Sequence, residues 1–243
     1  VIAAVIQETL RRHLRSRAYQ IYLVLGTLVA ILLAAVGTGG LWQKTTELAA
    51  ILLGCQLIGP EFSTGTLQLV LAKPVNRSSY LISRVVGVTL ALWITIAAQA
   101  GVEILGFLLR SQPIDWRQSL GAIVSVALAA MMTAAMMAFY GSFTRSYGNV
   151  GIYFGVTIFG NTLVGALAMT AARPGGRLEW LGDALRTHPG IINGIRTFFS
   201  NLNPDSPPDL EWRWVLMVVC NSVVALLAAS LIFRNREVPY GAD

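Results

Sequence analysis

Charge is what this sequence has least of. Asp, Glu, Lys and Arg together make up 12% of its 243 residues, about half the share of an ordinary soluble domain. So few charges cannot cover the surface of a water-soluble globule of this length. Histidine is scarcer still: His13 and His188 are the only two, and they fall at opposite ends of the predicted topology, which excludes a His-based triad or metal site. The cysteines, Cys55 and Cys220, both lie in apolar runs without disulfide-framework or metal-ligand spacing; they read as small buried hydrophobes. Lys44 and Lys73 are the only lysines. The first follows Gln43 and the second precedes Pro74, so neither can be the phosphate-reaching lysine of a P-loop. No cofactor, metal or nucleotide site is therefore expected in the chain itself. An internal repeat is also lacking, which disfavours the inverted-repeat secondary carriers.

What is there in abundance is hydrophobic: 55% of residues, with a mean hydropathy of +0.62. A helix that crosses a bilayer needs roughly 20 mostly apolar residues. Residues 19–36, 85–109, 120–139, 150–169 and 214–233 meet that plainly, and a shorter run at 48–59 is the sixth. The fold class is all-α, a polytopic membrane protein. Charge decides the doubtful run. With six spans, ten basic residues (among them Arg11, Arg12, Arg15, Arg17, Lys73, Arg77 and Arg84) fall on the cytoplasmic side and only Lys44, Arg110 and Arg117 in the short outer loops, as the positive-inside rule favours. Both termini then face the cytoplasm. The net charge of +6 is spread over the ends of apolar runs, which argues against a nucleic-acid partner and for the lipid bilayer. Trp42, Trp116, Trp212 and Trp214 fall at the predicted outer interface, and Tyr19, Tyr22, Tyr80 and Tyr147 at the inner one. The arginines before the first run resemble a signal peptide, but five further apolar runs follow, so the run reads as a retained span. The sequence begins at Val1, and residues ahead of it are expected.

Three stretches are neither spans nor turns. Residues 1–18 set Ile2, Val5, Ile6, Leu10 and Leu14 on one helical face with arginines opposite, an interfacial amphipathic helix. Residues 170–213 form an outer loop in which Ile191, Ile195, Phe198, Phe199 and Leu202 recur at helical spacing, so short helices are expected there. Residues 60–76 form the third. Pro60 and Glu61 suit a helix start, Leu67, Leu69, Val70 and Leu71 give an apolar side, and Pro74 ends it. Asn76-Arg77-Ser78 turns into the next span, with Ser78 or Ser79 suited to cap it.

That third stretch carries a resemblance. Glu61, Gly65-Thr66-Leu67, Leu71-Ala72-Lys73-Pro74-Val75-Asn76-Arg77, Tyr80-Leu81 and Arg84 resemble the hallmark that joins the second and third spans of ABC-2 type permeases, the membrane-spanning subunits of ABC transporters. Asn76 stands where Ser is common and Lys73 where Arg is common. The interfacial helix, six spans, long outer loop and basic tail extend the likeness over nearly the whole chain. The resemblance implies a subunit of a bacterial inner membrane transporter, binding no nucleotide itself and working as an exporter. Its partners would be a separate ABC ATPase, which binds the ATP and Mg, and a second copy of itself or a homologous permease. The 60–76 helix would be the coupling element, with Glu61, Gly65, Thr66, Lys73 and Arg77 meeting the ATPase. An ordinary interfacial connector is the alternative reading of the same residues.

Other positions keep two readings each. Glu103, the one acid deep in a predicted span, either hydrogen-bonds within the bundle or an outer vestibule, or lines a path and binds a polar or cationic group. Gly151 and Gly155 form a GxxxG that fits a dimer seam or a contact within one subunit. Asn161 in the same span lines a path or bonds between helices. Met131, Met132, Met136 and Met137 are core filler or a deformable wall. Two rival functions stand beside the permease: a mechanotransmission subunit that moves no solute, and an ATP-independent channel or carrier. The substrate is not legible.

Overall fold

A computed structural model describes residues 2–58, 76–144, 147–172, 180, 187, 190 and 210–235. Among them all regular structure is helical: α1 (Ile2–Arg15), α2 (Arg17–Val36), α3 (Leu41–Gly54), α4 (Arg77–Leu109), α5 (Trp116–Phe143), α6 (Gly148–Ala172) and α7 (Trp212–Asn235). Five of these, α2, α4, α5, α6 and α7, are long and apolar enough to cross a membrane, and they contain the five plain runs of the sequence. The chain is a multi-pass membrane protein. Residues 1–150 with 206–243 form one compact unit, and residues 151–205 a second. The short helices expected in 170–213 lie outside the described residues.

Local chemistry sets the helix ends. The Ser16 side chain accepts a hydrogen bond from the Tyr19 N–H, so Ser16 both breaks α1 and caps α2. Gly37, at φ 84°, closes α2 in the left-handed conformation that a glycine adopts freely. Asn76 caps α4, its side chain accepting from the Ser78 N–H; the serines suggested by the sequence lie inside the helix instead. Asp115 caps α5 by accepting from the N–H groups of Arg117 and Gln118. The short apolar run expected at 48–59 belongs to a helix that starts earlier, at Leu41, and closes at Gly54.

Helix α4 is the hub of the first unit, packing against α1, α2, α3, α5 and α7. Small residues let backbones approach where no hydrophobic drive operates between helices in lipid. A Cβ built at Gly106 would come within 2.5 Å of the Ala34 Cβ, and one at Gly54 within 2.7 Å of the Met137 Cβ. Met132, Met136 and Met137 are buried with Ala134, Ala135 and Ala138, which is the core-filler role. Outward-facing Val24, Leu28, Ile31 and Leu32 on α2 are about half exposed or more, as befits a surface covered by hydrocarbon. Trp116 and Trp212 are exposed as interfacial residues should be, whereas Trp42 is buried. Cys55 is buried but Cys220 is exposed, so only one of the two packs as the sequence suggested.

Candidate functional site

Glu61, Gly65, Thr66 and Lys73 lie outside the described residues, which stop at 58 and resume at 76. The two ends of that segment are described, and both are held by side chains from distant parts of the first unit. At the entry, the chain leaves α3 through a turn at 55–58, where carbonyls past a helix end need donors from outside the helix. Arg84 of α4 supplies them. Its Nε and Nη2 donate to the Leu57 carbonyl at 3.3 and 3.1 Å, and Nη2 also donates to the Gln56 carbonyl at 3.3 Å. A planar guanidinium with five donors suits several acceptors at once, where a lysine would not. Asn149, fully buried, donates from Nδ2 to the carbonyls of Gly54 and Met137 at 3.2 and 3.4 Å.

The same arginine reaches the N-terminal helix. Arg84 Nη1 donates to Thr9 Oγ1 at 3.3 Å, and that hydroxyl donates in turn to the Val5 carbonyl at 2.8 Å. Thr9 and His13 are both 1% exposed, so α1 docks on the bundle by a polar seam rather than by its apolar stripe alone. Ile2 at one end of that stripe stays 56% exposed. Gly87 permits the docking: a Cβ there would lie 2.6 Å from the Thr9 Cβ and 3.1 Å from the Ile6 carbonyl oxygen. Gly87→Ala is therefore expected to push α1 off α4 and to destabilise the unit by about 1–3 kcal/mol, seen as a lower Tm and faster proteolysis within residues 2–15. A variant that keeps the wild-type Tm would show that the seam is not tight. His13 is held neutral: burial first, then the Arg84 charge, then that of Arg12 push its pKa from 6.5 down to about 4.

At the exit, Arg77 follows the Asn76 cap and its Nη1 donates to the Arg234 carbonyl at 3.4 Å, in the last turn of α7. Of the five residues assigned to coupling by resemblance, Arg77 is thus the one the structure describes, tied to the end of the last helix. Arg84 stood in the family hallmark and among the topology charges without a site role of its own, and Thr9, His13 and Asn149 were not proposed as site residues. One signal could have found Arg84: it stands two helical turns past the α4 cap, at the start of an apolar run, where a guanidinium has to find partners.

The remaining sites lie elsewhere. Glu103 faces the α2–α3 turn, its Oε2 accepting from the Gly40 N–H at 2.8 Å. Gly40 is the N-cap of α3 and offers no side-chain cap of its own, so a carboxylate here favours the positive helix end. A Cβ built at Gly39 would meet the carboxylate at 2.5 Å, so a larger residue there would displace the Glu103 head. Among the described residues nothing lies within 4 Å of a Cβ built at Gly151 or Gly155. The Asn161 side chain lies outside the described residues.

Two comparisons with known proteins bear on this arrangement. A family model described as "ABC-2 family transporter protein" matches residues 4–234. No curated protein matches the chain.

Proposed function

The chain belongs to the ABC-2 family of transporter proteins and is a membrane subunit of an ABC transporter, and from that footing we propose that it is an exporter permease driven by a separate ATPase through residues 60–76. The observation that supports this reading most is the Arg84 junction. The segment that would receive the push of an ATPase leaves α3 at carbonyls bonded to Arg84, and Arg84 also bonds Thr9 of α1. A displacement of the segment would then load α1, α3 and α4 together instead of dissipating in a loose loop.

The six-span topology has its own support. The chain between Gly40 and Leu57 is bonded to α4 at Glu103 and at Arg84. Those anchors are nineteen residues apart in the sequence, about 28 Å of helix rise, close to the roughly 30 Å of a hydrocarbon core. With α3 as the second span, both termini face the cytoplasm of a bacterial inner membrane, and 60–76 faces the ATPase. A second copy, or a homologous permease, completes the path; the open faces of Gly151 and Gly155 suit that seam. ATP and Mg belong to the partner.

The test is co-expression with a cognate ABC ATPase, purification in mild detergent and reconstitution in nanodiscs. The ATPase should co-purify, and Glu61→Ala and Arg77→Ala should each lower ATP-driven transport about tenfold. If no ATPase co-purifies and both variants leave activity intact, the coupling reading is wrong. ATP hydrolysis coupled to no solute movement under any condition would favour a mechanotransmission subunit.

A further inference from the structure

Two cavities meet at Glu103. One, of about 230 Å³, runs between α2, α3 and α4 and is walled largely by Leu25, Val29, Ala30 and Leu33. The other, of about 490 Å³, opens among the N-terminal ends of α3 and α5 and the outer part of α4, and is lined by Gln43, Asp115, Gln118 and Ser119 among others. Trp42 and Glu103 line both. The first is an apolar slot and the second a polar mouth, and the two share a wall.

Among the described residues that line the mouth, the charges have one sign. Glu103 and Asp115 are carboxylates, Gln43 and Gln118 are amides, and no base is among the described residues that line either cavity. Arg110, the nearest base along α4, donates to the Ala34 carbonyl. Two carboxylates in a concave, low-dielectric mouth favour a cation. The shared wall also carries unspent hydrogen-bonding capacity. Trp42 is 6% exposed, and its buried indole N–H has no hydrogen-bond partner among the described residues. Beside it the Tyr22 hydroxyl faces Thr45, Thr46 and Gln99, yet neither that hydroxyl nor the fully buried Gln99 amide closes a hydrogen bond of ordinary geometry among the described residues. Buried polar atoms left open beside a cavity call for an occupant.

We propose that the two cavities form one binding site for a cationic amphiphile, its ammonium head in the mouth between Glu103 and Asp115 and its apolar tail in the slot along α2. The Trp42 indole face adds attraction for the head. The carboxylate that caps α3 would serve the ligand through its remaining lone pairs. Binding at this site needs only the first unit and stands apart from any ATPase.

Equilibrium binding of radiolabelled decyltrimethylammonium to the full chain in nanodiscs tests this, with empty nanodiscs as the blank. Saturable binding is expected, about tenfold tighter than that of decyl sulfate or of the uncharged decyl maltoside. Glu103→Gln keeps an acceptor for the Gly40 N–H, and Asp115→Asn keeps a competent helix cap. Each should weaken binding about threefold, and the pair about tenfold. Gln118→Lys, at an exposed position, should weaken the cation and strengthen the anion. Equal uptake of all three amphiphiles, or charge variants that bind like the wild type at an unchanged Tm, would mean partition into lipid only and overturn the site. Selective binding without a co-purifying ATPase would leave the site standing and remove the transporter mechanism; the converse result would do the opposite.

Discussion

Replacing Arg84 with methionine is expected to destabilise the protein by about 3 kcal/mol or more and to free α1 from the bundle. The side chain is 4% exposed, and its loss leaves the Gln56 and Leu57 carbonyls and the Thr9 hydroxyl without this donor. Each buried polar group left unmatched costs about 1–3 kcal/mol. Arg84→Lys keeps the charge but lacks the fork, so an intermediate loss is expected. The measurement is the Tm of purified protein in mild detergent, with the proteolysis rate of residues 2–15 beside it. A methionine variant with wild-type values in both would remove Arg84 from the junction. A lysine variant that recovers most of the Tm but not ATP-driven transport would place the arginine's function in transmitting movement.

Acidification is expected to produce the second large effect, through His13. Its folded-state pKa of about 4 lies below the ordinary 6.5. Between those values the unfolded chain binds a proton that the folded protein refuses. Stability is therefore full above about pH 6.5 and falls as the pH drops towards about 4, by about 3 kcal/mol over the whole window. Below that the folded His13 takes its proton too, beside Arg84 and Arg12, whose charges oppose it. Carboxylates titrate in the same range, so the informative quantity is the difference between the wild type and His13→Leu. The leucine variant should lose less Tm between pH 7.5 and pH 4.5. Parallel curves would show that His13 is hydrated in the folded protein.

Both effects converge on one place, the contact of α1, the exit of α3 and the first turns of α4. A positive charge buried among carbonyls and a neutral imidazole beside it form a polar joint inside an otherwise apolar bundle. Such a joint is directional, because hydrogen bonds hold geometry where methyl packing would let helices slide. Asn149 repeats the device from the start of α6, gripping the Gly54 and Met137 carbonyls. The entry to the 60–76 segment is thereby fixed on both sides.

Composition and apolar run length were sufficient to determine that this chain lives in a membrane and where its long helices run, because those follow from solvation of each segment by itself. The stretch from Glu61 to Arg84 was enough to point to the family that residues 4–234 then matched. Helix starts were partly legible: Asn76-Arg77-Ser78 marked the turn into α4, although the capping side chain proved to be Asn76 and not a serine. What periodicity could not reach were the pairings across the fold. Arg84 and Thr9 are 75 residues apart and Asn149 and Gly54 95 apart, and nothing local in either sequence window names its partner. Arg84 read as a topology charge, Trp42 as an interfacial anchor and His13 only as a residue too far from His188 to share a site, because each takes its role from a helix brought alongside by packing on α4. Glu103 shows the division most plainly: its sequence position announced a costly carboxylate, and only the tertiary structure set it against the Gly40 N–H at the start of α3, where the helix dipole offsets that cost.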